Sequence, residues 1–419
     1  MNQQKTENLN TEISEGYIEQ EKQSTDSGKA KRSVWKLLTK GGRKEKFLKK
    51  LGYQRTGAFL GLDVGSFSVK MVELKRSKNG LRIINAGMEK IYDPSEEVEA
   101  FSQTSLRETS DQTSAIVKSI RQITRNQKIK TDKVASTLSG DSVVERFIRV
   151  PLLKKRELDK ILQWEAKKFL NIPPEEMIFD YSVFQEDREA KKLELLLAVS
   201  QKKLILKHLN LLKVAGLKPV ALETKSQALH NALLNRLSIK DEVVALLDIG
   251  ANCSILNISQ ANLLRLSRNI KYGGHDLTQA LANQLGWSIR QAENFKKGKN
   301  LLSNKGSGSQ ETADLNGKSN LIQGIISDHV EKLTAELQRS FEYYLAEFEK
   351  EKIDLLYITG GGSKLKDLDK SLENRLKVKT EIFNPLDNIE EVEGSTQDWE
   401  DLGPPLTIAF GSATWKEKF

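Results

Sequence analysis

Apolar and polar positions follow the same layout in two separate stretches of this chain. Residues 59–62 form an apolar run that stops at Asp63-Val64-Gly65-Ser66. From Ser68 onward the side chains alternate again, with Val69 and Met71 on one face and Lys70, Val72 and Leu74 on the other. The pattern predicts two strands joined by a tight turn. The layout returns 185 residues later: 243–247 lead into Asp248-Ile249-Gly250-Ala251-Asn252, and 254–257 leave as a second strand. A repeat at that spacing predicts two like domains, since a solenoid would have a far shorter period.

Around these hairpins the spacing predicts a third strand over 81–91, a helix over 113–126 and strands over 133–138 and 142–150, the last stopped by Pro151. Residues 155–170 carry Leu158, Ile161, Leu162, Ala166, Phe169 and Leu170 on one stripe, which is the mark of an amphipathic helix. Trp164 lies off that stripe, placed either for a partner or for a neighbouring loop. Strands over 179–185 and 193–200, a helix over 201–215 and a strand over 218–223 follow. In the second half a helix is expected over 287–299, a flexible insertion over 300–320 and a long helix over 321–352. A strand then runs into Gly360-Gly361-Gly362-Ser363. The expected fold class is α/β, with a first domain at 57–225 that carries a small inserted α+β subdomain at about 84–200. A second domain occupies 226–419.

Composition changes this picture at one end. Of the net charge of +9, residues 1–28 carry −4 and residues 29–55 carry +10, leaving +3 for all the rest. The folded body is therefore near neutral, which argues against a nucleic-acid-binding face. Residues 1–56 are expected to be a disordered arm. Within it, Trp35, Leu37, Leu38, Phe47, Leu48 and Leu51 stand among lysines, a pattern that suits either an anionic membrane surface or a solvated tail. One cysteine, Cys253, excludes a disulfide framework and fits a reducing cytosol. No apolar run reaches the length of a membrane span.

The two turns are also where chemistry is expected. Gly65 lacks a Cβ, so the backbone there can approach a phosphate, and the Ser66 hydroxyl adds a donor. Asp63 can hold a hydrated Mg2+, which keeps most of its waters and takes one or two carboxylates. An ordinary hairpin tip has the same composition. Two such turns, one at Asp63 and one at Asp248, could clamp a polyphosphate from both sides. The triple glycine suits a backbone passing flat under a base or phosphate. It is neither a dinucleotide fingerprint nor a P-loop.

In that order and at those distances, Asp63-x-Gly65-Ser66, Asp248-x-Gly250-Ala251 and Gly360-Gly361-Gly362-Ser363 resemble the two phosphate loops and the adenosine loop of the actin-like (RNase H-like) ATPase superfamily. Val150-Pro151, the helix with Trp164-Glu165-Ala166, the Pro173-Pro174 turn and the strand with Asp180 resemble the inserted subdomain of the PilM family of type IV pilus assembly. Residues 403–415 resemble its closing helix. The resemblance implies ATP and Mg2+ as cofactors, with Asp63 and Asp248 facing the metal through water. It places Gly65, Ser66, Ser68, Gly250, Ala251 and Ser254 on the phosphates, Glu293 and Lys296 at the ribose and adenine, and Gly361 to Ser363 beneath the base, with Gly360 also in the nucleotide site. Asn252-Cys253 departs from the small or hydroxylic residues often found there. Glu223 stands where the superfamily often positions the attacking water, although Thr224-x-x-Gln227 also reads as a helix cap. The implied role is a cytoplasmic ATP-binding scaffold at the inner membrane, with slow hydrolysis at most. Its partner would be the N-terminal tail of a PilN-like membrane protein of the pilus assembly platform, held near Val150 and Trp164. The alternative is a polymerising, membrane-linked FtsA-like homologue.

Overall fold

The computed structural model describes residues 58–77, 80–91, 110–138, 142–298, 310–387, 389 and 402–415. The basic segment 29–55 and the rest of the arm lie outside these residues, as do positions 300–309 of the expected insertion.

The first hairpin forms as patterned. Strand β1 (Ala58–Val64) pairs antiparallel with β2 (Ser68–Ser77), and β2 pairs with β3 (Gly80–Lys90). Two parallel strands, β4 (Lys133–Leu138) and β8 (Lys218–Thr224), complete a five-stranded sheet in the order β3-β2-β1-β4-β8. One face is covered by α1 (Ser110–Asn126) and α3 (Lys202–Ala215), whose Ile116, Ile120, Ile123 and Leu212 pack on Leu60, Leu62, Val69 and Met71.

The second hairpin builds the same sheet again. Strands β9 (Val244–Ile249), β10 (Ser254–Gln260), β11 (Leu263–Ile270), β12 (Leu355–Thr359) and β13 (Thr380–Ile382) are ordered β11-β10-β9-β12-β13. The antiparallel meander and the two parallel additions occupy corresponding places, so the duplication read from the hairpins extends to whole sheets. One face packs on the long helix α7 (Gln310–Glu347) through Val330, Leu333, Leu337, Phe341 and Tyr344. That helix starts at Gln310, inside the expected insertion at 300–320. Once a helix is nucleated on a packed stripe, each added residue gains a bond for little further cost, so it can run on into polar sequence.

The remaining faces of both sheets share one core. Val72, Leu74 and Ile83 of the first sheet and Leu246 and Ile255 of the second meet Leu229 and Leu233 of α4 (Lys225–Arg236) and Phe410 of α9 (Thr407–Ala413). Helix α9 is wedged in backbone to backbone. A Cβ at Gly61 would lie 2.0 Å from the Ala409 carbonyl oxygen, and one at Gly411 would lie 1.8 Å from that of Ala228.

A separate three-stranded antiparallel sheet consists of β5 (Val143–Pro151), β6 (Met177–Asp187) and β7 (Lys192–Gln201), in the order β5-β7-β6. Helix α2 (Lys155–Lys167) closes it, packing Leu158, Leu162 and Ala166 on Val150, Leu195 and Leu197. This layer is narrower than the 84–200 expected. Strand β3 and strand β4 hydrogen-bond within the first sheet, and α1 covers it. Alternation along the chain looks the same in both sheets, and only the pairing distinguishes them. Val150, expected at a partner groove, is 5% exposed inside this small core.

Candidate functional site

Both Asp-x-Gly turns close through the same hydrogen bond. The Gly65 amide donates to the Ser68 carbonyl at 3.0 Å, and the Gly250 amide donates to the Cys253 carbonyl at 3.1 Å. A Cβ at Gly65 would stand 2.9 Å from Lys70 Nζ and from the Ser68 oxygen, and one at Gly250 would stand 2.6 Å from the Cys253 oxygen. Both glycines are therefore required by the turns themselves.

At the first turn Asp63 is buried and meets two lysines, neither of which was expected at the site from sequence. Lys70 Nζ lies 3.1 Å from Oδ2, and Lys225 Nζ, from the first residue of α4, lies 2.8 Å from Oδ1. The Thr137 hydroxyl also donates to Oδ1, at 3.3 Å. Burial alone would raise the Asp63 pKa, but Lys225 and then Lys70 outweigh it and hold the carboxyl far below the usual carboxylate range. Asp248, at the corresponding place on the second turn, is pushed up to about 6 by burial. The Asp63 charge adds to that push, and Lys70 and Lys225 pull against it. The two turns thus lie within electrostatic reach of each other.

The signs give a pH prediction. The folded pKa of Asp248 lies above its unfolded value near 3.8, so ionising it costs folding free energy. Between about pH 4 and pH 6 its contribution to stability falls as pH rises, by up to about 3 kcal/mol for a two-unit shift. Asp248→Asn should flatten that slope in ligand-free thermal unfolding from pH 4.5 to 7. Parallel wild-type and variant curves would refute the assignment.

The triple glycine packs directly on the second turn. Gly360 has a φ of +84°, and a Cβ there would stand 2.4 Å from Asp248 Oδ1; one at Gly362 would stand 2.3 Å from Ile249 Cγ2. Gly361 is exposed, with nothing within 4 Å of its Cβ position, and is the open member of the three. Ser363 is turned inward, its buried hydroxyl donating to the Gly360 carbonyl at 2.8 Å. Ser254 is also buried, and donates to the Tyr272 carbonyl at 2.7 Å. Ser68 is buried on β2, whereas Ser66 is exposed at the tip of the first turn and Ala251 is partly buried at the second. Of the expected phosphate hydroxyls, therefore, Ser66 stands open.

A glycine pair that the sequence reading passed over sets the next wall. The Gly274 amide, at the start of α5 (Gly274–Leu285), donates to the Gly250 carbonyl at 2.9 Å, and the His275 amide donates to Ala251 at 2.8 Å. A Cβ at Gly273 would lie 2.5 Å from the Ala251 oxygen. The signal was available as Gly273-Gly274 directly before an amphipathic stretch. Helix α6 (Ile289–Lys296) anchors to this corner. Lys296 Nζ lies 2.8 Å from the Gly274 carbonyl, 2.8 Å from Thr278 Oγ1 and 2.7 Å from Glu293 Oε2. Glu293 also pairs with Lys297 at 2.7 Å. Burial would raise its carboxyl, but Lys296 and Lys297 bring it down to about 2. Glu293 and Lys296, expected at the ribose and adenine, thus pair with each other, and Lys296 uses its three donors inside the wall. Lys297 reaches toward the first turn, its Nζ 5.1 Å from the centre of the Phe67 ring.

Glu223 accepts a hydrogen bond from Asn231 of α4 at 3.2 Å, and the expected cap forms where the Gln227 amide donates to the Thr224 hydroxyl. Two residues on from Glu223, it is Lys225 that meets Asp63. Trp164 is away from these turns, on the outer face of α2. It is 60% exposed, with the Lys168 ammonium 3.5 Å from the centre of its ring.

Comparison with known proteins adds the following. The family described as type IV pilus assembly protein PilM matches residues 61–415. A solved PilM-PilN type IV pilus biogenesis complex is similar over 85% of this chain and 98% of its own, at 24% identity and a TM-score of 0.70. The ethanolamine utilization protein EutJ from Carboxydothermus hydrogenoformans aligns over 86% and 90%, at 12% identity and a TM-score of 0.47. MreB 5 of Spiroplasma citri bound to AMPPNP aligns over 87% and 97%, at 14% identity and a TM-score of 0.44. The fold is the actin-like α/β one that the resemblance of the three glycine-bearing motifs implied.

Proposed function

The chain belongs to the family of the type IV pilus assembly protein PilM, and we propose that it acts there as an ATP-binding cytoplasmic scaffold for a PilN-like inner-membrane protein. The observation that carries the nucleotide part is the pair of matching Asp-x-Gly turns, within electrostatic reach of each other, with two partly buried lysines beside them. The residues fit a nucleoside polyphosphate: glycine-closed turns, an exposed Ser66, two ammonium groups and an open Gly361. They also fit Mg2+ that arrives with the phosphates. The described residues include no cluster of three or more metal-ligating side chains, and Mg2+ needs none when phosphate oxygens and water complete its shell. Asp248 would hold that hydrated ion, with Asp63 beside it. When bound, Mg2+ neutralises phosphate charge.

This site is built to hold nucleotide more than to turn it over. Phosphoryl transfer needs a positioned water as well as an electrostatic clamp. Glu223, the expected water-positioning residue, hydrogen-bonds to Asn231, and a lysine stands beside Asp63.

For the partner, the PilN of the solved complex supplies the precedent, and this chain supplies an exposed tryptophan on α2 stacked with a lysine. We assign the docking of a PilN-like N-terminal tail to the small sheet and α2, and peripheral association with the inner membrane to residues 29–55. Saturating Mg2+-ATP should raise the unfolding midpoint, by the equivalent of about 2.7 kcal/mol at one hundred times Kd. Trp164→Ala should weaken a PilN-like N-terminal peptide about tenfold in calorimetry. An unmoved midpoint would reject the nucleotide site. Absence of peptide binding by the wild type with ATP present would reject the scaffold role.

A further inference from the structure

The family resemblance sets Asp63 as well as Asp248 on the metal, yet both carboxylate oxygens of Asp63 are already engaged. Lys70 takes Oδ2, and Lys225 with Thr137 takes Oδ1. A hydrated cation at Asp63 would face two ammonium groups already on the carboxylate, the nearer at 2.8 Å. Asp248 makes no ion pair within 4 Å among the described residues, so the lysines do not block a metal on that side.

Lys225 is held in this place from its own side of the chain. It opens α4 directly after β8, between Thr224 and Ser226, whose hydroxyls bond to each other at 3.0 Å. Ser226 donates to Glu145 of β5 at 2.6 Å, and Asn257 donates to the Ser226 carbonyl at 2.8 Å. Its neighbours are tied to two other sheets, so the lysine root is fixed while the four-carbon stem can swing. The ammonium carries three donors and no acceptor. It can therefore leave a carboxylate for a phosphate, but it cannot orient a water as a base.

Resting on the nucleotide reading above, we propose that Lys225 is a phosphate-binding residue that stands in for part of the divalent cation. Asp63 stores its ammonium in the site, and an arriving polyphosphate takes it over, so that ATP binding depends only weakly on Mg2+. Lys225 and Lys70 then provide the counter-charge that a metal supplies elsewhere, at a site of otherwise balanced charge.

The test is calorimetric titration of ATP into the full chain, in excess Mg2+ and in excess EDTA at one ionic strength, with wild type, Lys225→Ala and Lys225→Gln. Wild-type affinity should drop no more than about tenfold in EDTA. The alanine variant should lose about thirtyfold in EDTA, and clearly less in Mg2+. If the alanine variant does not fold, the glutamine variant, which keeps a donor for Asp63 without the charge, is read in the same way. Equal losses in both media would mark Lys225 as merely structural and overturn the proposal, as would a variant that binds ATP in EDTA as tightly as the wild type does. A wild type that binds ATP only with Mg2+ also overturns it, while leaving the nucleotide site standing. No binding in either medium removes both.

Discussion

Replacing Asp63 by alanine is expected to destabilise the ligand-free protein by about 3 kcal/mol, and an added polyphosphate should restore part of the loss. Asp63 is the counter-charge of two lysines whose side chains are only 17% and 14% exposed. Removing one partner of a buried pair leaves the other charges uncompensated, which costs more than the pair itself contributes. Because its folded pKa is depressed, the aspartate's contribution is present above its unfolded value of about 3.9 and fades as pH falls through the acid range. The difference between wild type and variant should therefore be full at neutral pH and shrink toward pH 3. Tripolyphosphate supplies the missing negative charge and should stabilise the variant more than it stabilises the wild type. Chemical unfolding with and without the anion reads both effects. A variant as stable as the wild type at pH 7 would show that the lysines do not depend on Asp63.

Gly411→Val is the second large effect, and it acts through packing alone. The Cβ position at Gly411 is 1.8 Å from the Ala228 carbonyl oxygen and 3.0 Å from the Ala232 amide nitrogen. These are backbone atoms of α4, so no rotamer change can make room. Helix α9 would have to move off α4, and Phe410 and Leu406 would be displaced from the core shared by both sheets. Overpacking typically costs about 1–3 kcal/mol, and a clash with backbone belongs at the upper end or beyond. The unfolding midpoint should fall by several degrees. Gly324→Ala, at an exposed position of α7 whose Cβ would meet nothing within 4 Å, is the control and should hold the midpoint or raise it slightly, since alanine favours a helix interior over glycine. Similar midpoints for the two variants would mean that α9 does not carry the joint between the sheets.

Several features were legible in the chain because they depend on local order. Strand alternation, the Asp-x-Gly turns and their 185-residue repeat need only a period of two and a residue without a Cβ, so 63–65 and 248–250 could be matched by eye. Helix α2 was legible by its stripe, and Trp164 was already off that stripe before it proved exposed. What alternation could not tell was the sheet to which a strand belongs. β4 and β5 read alike, yet one pairs in parallel within the mixed first sheet and the other joins a separate antiparallel one, because pairing is a choice between distant segments. The charge at the site was hidden for the same reason. Lys70 was an ordinary strand-face lysine and Lys225 an ordinary first residue of a helix, until β1, β2 and the β8–α4 junction brought both ammonium groups onto the two oxygens of Asp63. The two turns and the hairpins around them were determined by sequence alone, since each is held by bonds among near neighbours. Only tertiary structure decided what faces those turns, since that depends on residues 7 and 162 positions away meeting one buried carboxylate.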